Sequence, residues 1–156
     1  MAVVGLLCLT FGCGKPLPEG MPKLYPCSVN VTMNGQVLTD AVVYFYPEDE
    51  SLKDYYATGC TDENGQTEMK TRLEYPGVVQ GTFKVALIKT IINPDWKRTP
   101  DMPPEEMPDS ISPFDFRFSL KETTPFTCEV KPEKNTFSFD IEQKGKPKQG
   151  EVPGTP

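Results

Sequence analysis

A period of two constrains this chain more than any other feature. Cys27, Val29, Val31 and Met33 alternate with Ser28, Asn30 and Thr32, as a strand does when one face is buried and the other is wet. The pattern recurs. Phe83, Val85 and Leu87 share one face of the segment 82–89, and Phe126, Cys128 and Val130 alternate with Thr127, Glu129 and Lys131. Phe137, Phe139 and Ile141 alternate with Ser138, Asp140 and Glu142. Residues 41–46 (AVVYFY) form a β-branched and aromatic run stopped by Pro47, and segments 56–61 and 66–71 flank the turn Asp62-Glu63-Asn64-Gly65. Asn34-Gly35 and the stretch 132–135 supply further turns. No 3.6-residue stripe competes. Seven short strands predict an all-β fold, a seven-stranded Greek-key sandwich. The 17 prolines and 12 glycines fit, because they favour short elements and loops.

The chain is 156 residues long, with 37% apolar and 24% charged residues, enough for one core. Its N-terminal part has a different character. Residues 2–12 (AVVGLLCLTFG) are apolar, too short to span a bilayer, and end in a small residue before Cys13. That arrangement reads as a bacterial lipoprotein signal, in which the Cys13 thiol takes a diacylglyceryl group. Residues 1–12 are then a signal peptide, 13–24 a tether, 25–142 the sandwich with a long loop over 90–124, and 143–156 a disordered tail. The tail (KGKPKQGEVPGTP after Gln143) has too little apolar surface to order itself.

Charge and composition exclude several activities. A net charge of −6 leaves no electrostatic footprint for nucleic acid. The chain has no histidine, which removes the usual base of a Ser-His-Asp or Cys-His relay and the usual ligand of catalytic zinc. Of five cysteines, Cys8 leaves with the signal and Cys13 is acylated. Cys27, Cys60 and Cys128 remain, widely spaced and without a CxxC motif. They can supply one disulfide and a free thiol, or three buried apolar thiols.

Other candidate chemistry has plain alternatives. Asp62, Glu63 and Asn64 lack the alternate-position ligands and closing glutamate of a calcium loop, and read as a hairpin turn. Asp101, Glu105, Glu106 and Asp109 in the long loop could gather a hard cation, or remain solvated. Glu129 and Asp140 read as exposed charges on adjacent strands rather than a glycosidase pair. Trp96, the only tryptophan, lies in the long loop, where it could stack on a partner or pin the loop down. Phe114–Leu120 is that loop's one strand-like piece. No cofactor, metal or catalytic residue is expected.

The order of these pieces resembles a known domain. Residues 29–35, 41–48 (AVVYFYPE) and 57–65 (ATGCTDENG), then Gly81-Thr82-Phe83-Lys84-Val85, the run 126–130 (FTCEV) and Asn135 to Ile141, are similar to carboxypeptidase regulatory-like domains. The wider group is the transthyretin-like (prealbumin-like) sandwich. The resemblance extends to small predicted lipoproteins of planctomycete-type bacteria. The resemblance implies a sandwich with no active site of its own. It turns Val43, Phe45 and Pro47 inward, and Val42, Tyr44 and Tyr46 outward beside Ala86 and Ile88. It places Cys60 in a core position. It also implies that the strand carrying Cys128 runs parallel to the first strand in one sheet, with Cys27 and Cys128 too far apart to bridge and Cys60 in the opposite sheet. A hydrolase of urate breakdown in the same group depends on histidines and a C-terminal motif that this chain lacks.

The resulting expectation is a non-catalytic, lipid-anchored module on a bacterial envelope, exported to the outer membrane or periplasmic face. Its candidate interaction surface is Tyr44, Tyr46 and Trp96, covered by the long loop through Trp96 or the segment 114–120, or by a partner. Its partners are the membrane, through the lipid on Cys13, and an envelope protein or glycan. The alternative is carbohydrate- or calcium-dependent recognition by the long loop, with a hydrolase third. The oligomeric state is left open.

Overall fold

The computed structural model describes residues 16–92, 97, 99–101 and 110–142. In chain order the strands are β1 (Leu24–Tyr25), β2 (Cys27–Met33), β3 (Gln36–Val37), β4 (Val42–Pro47), β5 (Ala57–Cys60), β6 (Gln66–Glu68) and β7 (Lys70–Thr71). They continue with β8 (Tyr75–Pro76), β9 (Val78–Val79), β10 (Gly81–Ile88), β11 (Ile91–Ile92), β12 (Ser110–Ile111), β13 (Thr127–Val130) and β14 (Asn135–Ile141). Two 3₁₀ turns, Glu50–Tyr55 and Phe116–Ser119, interrupt them. No helix among the described residues is long and apolar enough to cross a membrane.

Two sheets carry the fold. One has the order β13-β10-β4-β5-β7-β8; the other has the order β14-β2-β3, with β6 also pairing β2. Their inner sides meet in one cluster that includes Val29, Val31, Val43, Phe45, Phe83, Val85, Leu87, Val130 and Ile141, all essentially inaccessible to water. This is the all-β sandwich that the alternation predicts. Aromatic rings run through it from Phe83 to Phe45, Phe137, Phe139, Phe126, Phe118 and Phe114, with successive centroids 5.2–6.4 Å apart. Each buried ring contributes about 1.5–3 kcal/mol, so this chain of contacts supplies much of the drive to close the sandwich.

The turns behave as their residues dictate. Asn34 and Gly35 both take positive φ (51° and 75°), so β2 and β3 join through the tight turn that Asn-Gly favours. At Asp62 the carboxylate accepts hydrogen bonds from the backbone N–H of Asn64 (2.8 Å) and Gln66 (2.9 Å). This loop takes the chain from β5 in one sheet to β6 in the other. The Asn135 side chain accepts from Lys131 N and donates to the carbonyls of Lys131 and Glu133, which ties the β13–β14 turn together.

Two expectations about topology are corrected. The parallel partner of β2 is β14, aligned from Cys27↔Asn135 to Met33↔Ile141. The strand carrying Cys128 is instead the edge of the six-stranded sheet, antiparallel to β10. Cys27 and Cys128 therefore belong to facing sheets, and Cys60 shares a sheet with Cys128.

The described parts of the long loop are tied into the fold. Ile91 and Ile92 pair with Ile111 and Ser110. Phe114–Leu120 is not a strand: Asp115 accepts from Arg117 N and starts the 3₁₀ turn at Phe116. Beyond Lys84, β10 runs past the end of β13, and the returning chain fills that gap. Phe126 O accepts from Val85 N, Thr124 Oγ1 donates to Val85 O, and Ser119 Oγ donates to Leu87 O.

Candidate functional site

The outer side of the six-stranded sheet holds the candidate surface, and the register of β4 fixes its composition. Tyr44 lies between Ala86 of β10 and Thr58 of β5; Tyr46 lies opposite Lys84; Val42 lies between Ile88 and Cys60. The inward neighbours Val43, Phe45 and Pro47 are buried, while Val42, Tyr44 and Tyr46 are half-buried. The outward assignment of both tyrosines, Ala86 and Ile88 therefore agrees with the structure.

The two tyrosine rings stack, with centroids 5.7 Å apart and planes within 8° of parallel. Burial, the neighbouring Tyr44 and the Glu122 carboxylate, in that order, raise the pKa of Tyr46 above the ordinary phenol value. The Tyr46 phenol thus stays neutral near pH 7, and both hydroxyl groups can donate or accept hydrogen bonds at the rim of an apolar strip. Such a surface suits recognition: flat aromatic area supplies contact and hydroxyl groups supply direction.

The expected lid is built differently. Phe114 and Phe118 turn into the core cluster, and Phe118 stacks on Phe126 at 5.5 Å. Phe116 is 48% exposed. The rings of this segment close the end of the sandwich, because the unpaired length of β10 leaves its core open there. Of this segment's neighbours, Glu122 is the one close enough to act on Tyr46. Trp96 and Cys13 lie outside the described residues, as do Glu105, Glu106 and Asp109.

The thiols divide unexpectedly. Cys27, Cys60 and Cys128 are all free. Burial, followed by the charge of Glu68, pushes the Cys27 thiol up to about 12. Burial and then Cys27 raise that of Cys128 as well. Neither can supply a thiolate at neutral pH. Cys60 is exposed, contrary to its expected core position. The inward residue here is Gly59, where an added Cβ would lie 2.4 Å from Thr67 Oγ1. The small-residue series Ala57, Gly59, Thr61 was the signal for this phase.

Other polar candidates serve the architecture. Asp62 is occupied by its own turn, and those backbone hydrogen bonds hold its carboxyl below the usual carboxylate range. Asp140 accepts from Thr32 Oγ1 and Gly35 N, which lowers its pKa likewise. Glu129 and Asp140 lie on different sheets and face opposite sides of the molecule, not adjacent strands of one surface. They cannot flank one glycosidic bond. Among the described residues, no group of three or more carboxylates or thiols is gathered for a metal ion.

The chain matches no protein-family model, no curated protein and no solved structure. The reading of this surface therefore rests on its geometry.

Proposed function

We propose that this chain is a non-catalytic β-sandwich module, tethered by a lipid on Cys13 to a bacterial envelope membrane, that binds an envelope protein through the outer face of its six-stranded sheet. The observation carrying this reading is the Tyr44–Tyr46 stack on a strip with Val42 and Ile88, left clear of the Phe114 and Phe118 rings that could have covered it. An apolar, aromatic strip flanked by polar and charged residues such as Thr58 and Lys84 is the ordinary mark of a contact surface. The uses found for Asp62, Asp140 and Asn135 support a scaffold role, because each is engaged in holding a turn. The likeness to carboxypeptidase regulatory-like domains, and the apolar segment ending at Cys13, support the anchored, non-enzymatic part of the proposal.

Two measurements test it. Mass spectrometry of the membrane fraction should find an N-terminal peptide that begins at a diacylglyceryl-modified Cys13; an unmodified Met1 start in soluble protein rejects the anchor. Envelope pull-downs with the wild type and with Tyr44→Ser/Tyr46→Ser should lose the same captured protein in the variant. Unchanged capture rejects the tyrosine face as the binding surface.

A further inference from the structure

Strand edges carry a second message. β14 is an edge strand: it pairs with β2 on one side, and no strand among the described residues pairs with its other side. Asn135 N donates to Pro26 O, and Ile141 O accepts from Asn34 N, so the odd-numbered residues turn their backbone groups toward β2. In a regular parallel pairing, the N–H and C=O of Thr136, Ser138 and Asp140 then point away from the sheet.

Natural edges are normally blunted by brevity, proline, lysine or a bulge. The other edges here follow that rule: β3 and β8 have two residues, β8 contains Pro76, and β13 has four. β14 has seven residues, no proline or lysine, and an unbroken one-to-one register with β2. It is the one long, flat edge in the described fold.

We infer that β14 pairs antiparallel with β14 of a second copy of this chain, about a two-fold axis at Ser138. In this register Ser138 meets Ser138 of the second copy, and Thr136 meets its Asp140. These positions carry the outward backbone groups, so about six new N–H···O bonds form. At each end, Lys134 falls opposite Glu142 of the second copy, on the solvent-facing side where both are exposed. Phe137 lies opposite Phe139 on the inner side. Sliding the pairing by two residues either way loses about two hydrogen bonds and both Lys134–Glu142 matches. The sequence thus selects one register, and the resulting sheet runs continuously through both copies.

The test is sedimentation velocity of the full chain over a dilution series, with charge reversal as the probe of register. A concentration-dependent dimer is expected. Lys134→Glu and Glu142→Lys should each raise the dissociation constant about tenfold or more, because either substitution opposes like charges at both ends. The double variant Lys134→Glu/Glu142→Lys should restore wild-type association. Ser138→Pro removes an N–H on the outer side of the edge and should abolish the dimer while leaving the melting temperature and circular dichroism unchanged. A wild type that stays monomeric throughout overturns the inference. So does a double variant that fails to recover, or a folded Ser138→Pro protein that still dimerises.

Discussion

On β4, Val43, Phe45 and Pro47 are buried, whereas Val42, Tyr44 and Tyr46 are only half-covered. The same contrast separates Cys128, on the inner side of this sheet, from Cys60 on its outer side. The inner side is packed by rings from both sheets and from the segment after Ser112. The outer side carries the stacked tyrosines, with Tyr44 directly opposite Ala86 of β10. The inner side therefore governs stability, and the outer side is free to be selected for contact.

The sharpest way to break this contrast is thiol chemistry. In the native full-length protein, iodoacetamide at neutral pH should alkylate Cys60 roughly 10³-fold or more faster than Cys27 or Cys128, which react only through opening of the core. Peptide mapping over time measures this. Comparable rates at Cys60 and Cys128 would mean that the two sides are not differently protected.

Next in size is truncation inside. Phe45→Ala should cost about 3–5 kcal/mol in denaturant unfolding, since a fully buried ring leaves a cavity beneath Phe83 and Phe137. Phe118→Ala should approach the same range if the returning chain is part of the core. A loss below about 1 kcal/mol there would make that segment an appendage.

Outside, Tyr44→Ser/Tyr46→Ser should cost about 1–3 kcal/mol in total, from half-buried area and one ring pair. A cost matching Phe45→Ala would mean that the tyrosines are core after all, covered by something heavier than Glu122. The smallest effect lies at the turn where the chain changes sheets. The Asp62 carboxyl is held below its ordinary value, so its stabilising contribution is present above the unfolded-state value. That contribution fades as pH falls through the lowered folded-state value. Asp62→Asn should accordingly flatten the decline in melting temperature between pH 4 and the more acidic range, which a thermal titration would read; an unchanged slope would exclude this linkage.

Much of this organisation is visible in local pattern. The alternations in segments 27–33 and 137–141 announce strands because each has a wet face. Asn34-Gly35 and Asp62–Gly65 announce turns because their residues relieve positive φ or satisfy backbone donors locally. The hairpin between β7 and β8 does neither. Arg72 and Leu73 both adopt positive φ (54° and 64°), a conformation their side chains disfavour. It is held from a distance: Arg72 Nε donates to Asp54 O, and its guanidinium lies 4.8 Å from the Tyr55 ring centre. Such tertiary support leaves no mark in the turn's own sequence. The burial of Phe114 and Phe118 was hidden for the same reason, because the space they fill exists only after β10 outruns β13. Tyr44 and Tyr46 were legible as outward residues through the resemblance, which set the phase of the run 41–46. What covers them was not legible, because coverage depends on how a distant segment returns.

The parallel pairing of β2 with β14 also sets a timetable. Its contacts link residues more than a hundred positions apart, such as Ser28 and Thr136. Closure of that pair must await nearly the whole domain, and contacts so distant in sequence make folding slow. Until residues 135–141 arrive, β2 has only the short strands β3 and β6 beside it, and Val29 and Val31 lack the cover of Phe137 and Phe139. A chain emerging N-terminus first is thus kept from locking early. Under the proposed export across a membrane, the last strand acts as the latch, and folding is completed on the far side.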